Sequence, residues 1–187
     1  MEAYRESVVI LGPLGEQGTY LLHIELTRAL CLRLGRRRSL RRFPAGHYVY
    51  LGSALGRHAT SLPRRVLRHT TRKVSRRPHA LRAALLRALE EAGMTPGLAP
   101  PAAKKLHWHI DYLLEPVTVQ LRGCVLLRSP RHLERELAAW VAADPEARIV
   151  CPGFGAGDAP GQTHLFLVPG VPAWWTRLHD HAASLLG

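Results

Sequence analysis

Two tyrosines sit beside glycines at opposite ends of two apolar runs, in Gly18-Thr19-Tyr20 and in Tyr50-Leu51-Gly52. A phenol can hold or exchange a proton. A free one titrates near pH ~10, so it serves as a base at neutral pH only beside a cation or a metal. Further along, Arg65, Arg68, His69 and Arg72 are spaced i, i+3, i+4 and i+7, which gathers them on one cationic helix face. Asp111 and Glu115 stand at i and i+4, and His107 and His109 flank Trp108. Those imidazoles could reach a phosphate or a metal, but no third neutral ligand lies close enough in sequence to suggest zinc. Trp108 could stack on a base or anchor a core. Either tyrosine could equally be ordinary core or rim.

Charge narrows the chemistry. Lys and Arg outnumber Asp and Glu by 26 to 14 in 187 residues, a formal net charge of +12. Between Glu25 and Glu90 there is no acid, yet that interval carries 16 arginines and Lys73. The segment therefore calls for an external anion, or for acids from elsewhere in the fold. A nucleic acid backbone fits the first demand, because the arginine fork matches phosphate oxygens and each neutralised phosphate releases counterions. On this reading Arg36, Arg37, Arg38, Arg68, Arg72, Lys73, His107 and His109 contact nucleic acid, with DNA favoured over RNA. No apolar run reaches the length of a membrane span and the N-terminus lacks a secretory pattern, so a cytoplasmic location without a membrane partner is expected. Cys31, Cys124 and Cys151 are far apart and odd in number, which argues for small buried residues rather than disulfides or zinc. Nothing in the sequence fixes an oligomeric state.

The elements that must position these residues read as an α+β fold, a small, mostly antiparallel sheet flanked by helices. Gly18 to Leu26, Ala29 to Leu34 and His47 to Gly52 read as three strands of a meander, with turns at Arg36–Arg38 and Arg42–Gly46. Helices are expected from Ser61 to about Lys73 with Pro63 in the first turn, over His79–Ala92, and briefly over His109–Glu115. A strand over Val117–Leu127, a helix over Pro130–Ala143, a Gly-rich loop over Val150–Gly161, a strand over Thr163–Val168 and a helix over Pro172–Leu186 complete the chain. One domain spanning 1–187 accommodates all of this. A helical insertion at about 76–104 would serve as a DNA-contacting arm, a lid or packing, and a C-terminal extension would start near 117.

Taken together, the two tyrosine motifs and the following basic helix resemble the GIY-YIG nuclease superfamily. The longer strings FPAGHYVYLGSALG, KLHWHIDYLLE and GFGAGD with a later HLF resemble one branch, domain-of-unknown-function family 123, the Uri-type endonuclease-like proteins. The resemblance implies a GIY-YIG-like sheet and metal-dependent hydrolysis of DNA phosphodiesters. Tyr20 and Tyr50 would bracket the attacking water, Arg65 would clamp the scissile phosphate, and His69 would assist proton transfer or hold a phosphate oxygen. One Mg2+ or Mn2+ would be held by Asp111, with Glu115 second. Gly18 and Gly52 would serve the backbone. The same fold and basic face without catalysis would make a nucleic-acid-binding module. One departure stands out: 29 residues separate Tyr20 from Tyr50, where the superfamily has about one short turn.

Overall fold

The computed structural model describes residues 7–13, 15–35, 38–56, 60–73, 76–95, 99, 101–155 and 162–187. The strand Gly18–Leu26 (β2) is buried at eight of its nine residues, as its nearly unbroken apolar run requires. It pairs antiparallel with Gly46–Ala54 (β5) on one side and with Val119–Arg128 (β6) on the other. Val8–Leu11 (β1) adds parallel to β6, and Leu165–Val168 (β7) adds antiparallel to β5. The five-stranded sheet therefore runs β1-β6-β2-β5-β7 and is mostly antiparallel.

Two strand expectations need correcting. Leu30–Leu34 (β3) does not join the sheet; it pairs with Ser39–Phe43 (β4) in a separate two-stranded hairpin, and β2 meets β5 directly. This excursion accounts for the long interval between the tyrosines. The segment from 117 onward is no appendage either, because β6 is an inner strand.

Each strand points alternate residues to opposite faces. Tyr20, Leu22, Ile24 and Leu26 share one face with Tyr48 and Tyr50, beneath Leu62–Thr70 (α1), Leu81–Glu91 (α2) and His109–Leu114 (α3). Leu21, Val49, Leu51, Val125 and Leu127 face Glu134–Ala143 (α4) and Pro172–Ser184 (α5), with Trp174 and Trp175 at the centre of that second core. Leu81, Leu85 and Leu89 of α2 are spaced four apart and are fully or nearly fully buried, so the helix at 76–104 is packing rather than a projecting arm. No helix among the described residues is long and apolar enough to cross a membrane. Cys124 and Cys151 are buried, whereas Cys31 is exposed, contrary to the expectation that all three are interior; it lies on the outward face of the hairpin.

Candidate functional site

Strand register brings the two tyrosine motifs together. Tyr20 pairs with Gly52 and Leu22 with Tyr50, so the two phenol rings stand diagonally on one face, centroids 6.3 Å apart. Both glycines are needed for close approach. A Cβ on Gly52 would sit 2.4 Å from the Cζ and hydroxyl of Tyr20, and one on Gly18 would sit 2.0 Å from the carbonyl oxygen of Leu127. Gly52 thus leaves room for Tyr20, and Gly18 lets β2 lie against β6.

A cleft of about 490 Å3 opens above the phenols. Its walls come from six parts of the chain, the first five being Tyr20 of β2, Tyr50, Gly52 and Ser53 of β5, Arg65 and His69 of α1, Trp108 ahead of α3, and His132, Glu134 and Arg135 at the start of α4. Gly155, Gln162 and His164, in the segment before β7, close the remaining side. Tyr20, Tyr50, Arg65 and His69, four residues chosen from sequence alone, all meet here.

Their electrostatics follow from burial. Tyr20 is 2 % exposed, and its hydroxyl is hydrogen bonded to Nε2 of His69 at 2.8 Å. Burial, then the neighbouring Tyr50, pushes the Tyr20 phenol well above its usual titration range, with Arg65 opposing. His69 is 1 % exposed, and burial, with the Lys104 charge next, holds its imidazole down to about 3. The pair is a neutral phenol against a neutral imidazole whose Nδ1 is buried without a hydrogen-bond partner. Arg65 is half-buried, with its guanidinium 4.7 Å from the Trp108 ring centroid.

The expected cationic face of α1 divides. Arg68 lies 4.5 Å from the same indole centroid and donates to Asp111 Oδ1 at 2.6 Å. Arg72 is buried and donates to the carbonyls of Leu114, Arg77, Pro116 and Val119. Neither is offered to a nucleic acid: the helix turns this part of its stripe inward, where α3 and β6 supply acceptors. The acid-free interval is thus partly compensated from elsewhere in the fold. Two guanidiniums over Trp108 also account for its ring, so it makes no open stacking platform.

Neither proposed metal ligand lines the cleft. Asp111 is fully buried and accepts from Arg68 and from the amides of His107 (2.9 Å) and Trp108 (3.1 Å), with Lys104 Nζ at 3.6 Å. Burial alone would raise its carboxyl, but the Arg68 and His107 hydrogen bonds and the Lys104 charge outweigh it and hold it below its usual range. Glu115 receives the Lys73 amide and lies 3.3 Å from Arg76 Nε, on a different surface groove. Among the described residues the one carboxylate in the cleft is Glu134, with Oε1 2.6 Å from Nδ1 of His164. Sequence reading passed over Glu134 because an acid in the first turn of a helix is an ordinary complement to the helix dipole. Its placement straight after an inner strand was the available signal.

The other nucleic-acid candidates scatter. Lys73 and His107 are exposed, Arg38 is exposed at the hairpin turn, and His109 is half-buried against Phe154, ring centroids 5.6 Å apart. Arg36 and Arg37 lie outside the described residues.

The donor set in the cleft can be weighed against a metal. No group of three or more His, Cys, Asp or Glu among the described residues could hold an ion on its own. A single carboxylate suits a hydrated hard cation that completes its shell with water and phosphate oxygens, and does not suit zinc.

No curated protein and no solved structure matched the chain. The family model described as Domain of unknown function DUF123 matches residues 19–184, which takes in every wall of the cleft, and the chain belongs to that family.

Proposed function

We propose that this chain is a metal-dependent DNA endonuclease of the GIY-YIG type, with its reaction centre in the Tyr20/Tyr50 cleft. One observation carries the reading: two phenols, a guanidinium, a buried imidazole and a carboxylate from four separate elements converge on one cleft with room for a phosphodiester and its water. The paired tyrosines on adjacent antiparallel strands, with the arginine on the next helix, support the superfamily link.

In this scheme Arg65 grips the non-bridging oxygens of the scissile phosphate, where its charge counts most as negative charge builds up. The water oxygen attacks phosphorus, and the bond to the sugar oxygen breaks; that oxygen leaves as an alkoxide and takes a proton from solvent. The water proton passes to the Tyr20 oxygen as the Tyr20 proton moves to Nε2 of His69, which requires the His69 tautomer protonated at Nδ1. Both groups resist charging in the free protein. The phosphate's own negative charge in the cleft raises the proton affinity of His69, so the relay becomes competent when substrate is bound. Tyr50 orients the water. Glu134, in place of Asp111 or Glu115, would hold one Mg2+ or Mn2+, which would supply charge neutralisation to the phosphoryl group when bound.

A nucleic-acid-binding module with a silent cleft is the second reading. It is favoured by the commitments already made in the site: the Tyr20 hydroxyl to His69 and a Glu134 oxygen to His164. The two separate on incubating purified protein with single-stranded, duplex and branched DNA in Mg2+ or Mn2+, beside Arg65→Ala. Cleavage that falls about 100- to 1000-fold in the variant supports the enzyme. Salt-sensitive binding with no metal-dependent cutting of any substrate leaves the module.

A further inference from the structure

The hairpin β3–β4 is two-faced. Its inner face, Leu30, Leu32, Leu34 and Phe43, packs into the main core. Its outer face carries Cys31, Arg33, Leu40 and Arg42, all exposed, with Arg33 opposite Leu40 and Arg42 opposite Cys31. Arg33 and Arg42 are therefore diagonal neighbours across the ribbon, roughly 7 Å apart, about the rise of two nucleotides along one strand of a duplex. Neither has an ion pair among the described residues, whereas Arg68, Arg76 and Arg122 all do. Leu40, at 61 % exposed, is among the most exposed large apolar side chains.

The hairpin also adjoins the cleft. Its inward edge and turn, Leu34, Gly35, Ser39 and Arg41, form one side of a groove whose other side includes His109 and Phe154. Phe154 stands edge-on to Tyr50, ring centroids 6.3 Å apart, and Gly155 beside it lines the cleft. A polyanion leaving the cleft past Phe154 meets the hairpin's inward edge at Arg41, and Arg33 and Arg42 lie on the outer face of the same two-stranded ribbon.

We propose that this hairpin is a docking ribbon for the phosphate backbone of double-stranded nucleic acid, held there while one strand enters the cleft. The inference rests on the nuclease reading for its orientation. Duplex is favoured over single strand because single-strand binders stack bases on exposed aromatics, and no aromatic ring along this path is fully exposed among the described residues. Phe43 and Phe154 are buried, the cleft tyrosines are 2 % and 7 % exposed, and the half-buried Trp108 ring has two guanidiniums within 4.7 Å of its centroid. What remains is charge without an ion pair among the described residues on a two-stranded ribbon, which grips a phosphate rail without reading bases.

The test is equilibrium binding of a blunt 20-base-pair DNA duplex and of its single strand, in EDTA, across a salt series. The full chain is compared with the double variant Arg33→Ala/Arg42→Ala and with Arg33→Lys/Arg42→Lys. The alanine variant should bind duplex roughly tenfold more weakly at low salt, with the slope of log K against log salt reduced by about 2. The lysine variant should restore both, and thermal unfolding should be unchanged in each. Unaltered duplex affinity and slope in the alanine variant, or tighter binding of the single strand than of the duplex by the unaltered chain, would overturn the proposal. Because the assay contains no divalent metal, a protein that binds as predicted but never cuts removes the nuclease reading alone. One that cuts but ignores the hairpin substitutions removes this inference alone.

Discussion

Asp111 and Glu134 are acids at the starts of two helices, α3 and α4, and they have opposite fates. Asp111 is fully buried and takes two cations and two backbone amides. Glu134 borders the cleft with one imidazole for company. A carboxylate with its acceptor positions filled is part of the framework: it fixes Arg68, which lies with Arg65 over Trp108. A carboxylate with capacity to spare can still bind something. The number of prior commitments, rather than the residue type or its spacing, separates the two roles.

The contrast is tested most strongly at Asp111. Removing its carboxylate in Asp111→Ala strands a buried Lys104 ammonium and unpairs Arg68, so stability should fall by about 4 kcal/mol, read as a lowered denaturant midpoint. The sign with pH is set by its depressed titration. The contribution is complete above the unfolded value of 3.8 and is lost as pH falls through the lower folded value. Asp111→Asn should therefore abolish a step in stability below that pH. An unfolding midpoint unmoved by Asp111→Ala would erase the distinction between the two acids.

On the cleft side, Gly52→Ala puts a methyl 2.4 Å from the Tyr20 hydroxyl and ring. Overpacking of this kind costs about 2 kcal/mol, and it displaces Tyr20 from His69. The expected signature is a change in the His69 ring resonances in NMR spectra, with Asp111 and its partners undisturbed. Unchanged His69 resonances would mean that the Tyr20–His69 pair does not depend on this glycine.

A smaller effect concerns the imidazoles. His23, His69 and His79 are each held down to about 3 by burial, against 6.5 in an unfolded chain. The unfolded state takes up protons first, so stability falls as pH drops from 6.5 toward 3, by roughly 1 kcal/mol per pH unit for each group. His69→Gln should remove one such contribution and leave a shallower slope. An unaltered slope would mean that His69 is already charged in the fold.

Much of the frame could be read before the structure. The nearly continuous apolar run of β2 and the helix over α2 are carried by local pattern, and the meeting of Tyr20, Tyr50, Arg65 and His69 is implied by the family resemblance. What escaped depends on partners distant in sequence. β1 has four residues and becomes a strand only by pairing with Cys124–Leu127 of β6. Arg68 and Arg72 share a helical stripe with Arg65, yet they point at carbonyls and a carboxylate some 40 residues downstream. Periodicity says which residues share a face, and only the fold says what that face meets. Asp111 is attractive in sequence because it lies within the HWHID block that carries the family resemblance, and Arg68, Lys104 and two backbone amides commit it in three dimensions.

The most direct measurement is the rate of Mg2+- or Mn2+-dependent DNA cleavage by Glu134→Gln and by Asp111→Asn, each expressed per folded molecule. The account predicts that Glu134→Gln loses at least about 100-fold, while the folded fraction of Asp111→Asn keeps its rate within a few-fold. Full activity in Glu134→Gln beside a dead but folded Asp111→Asn would contradict it.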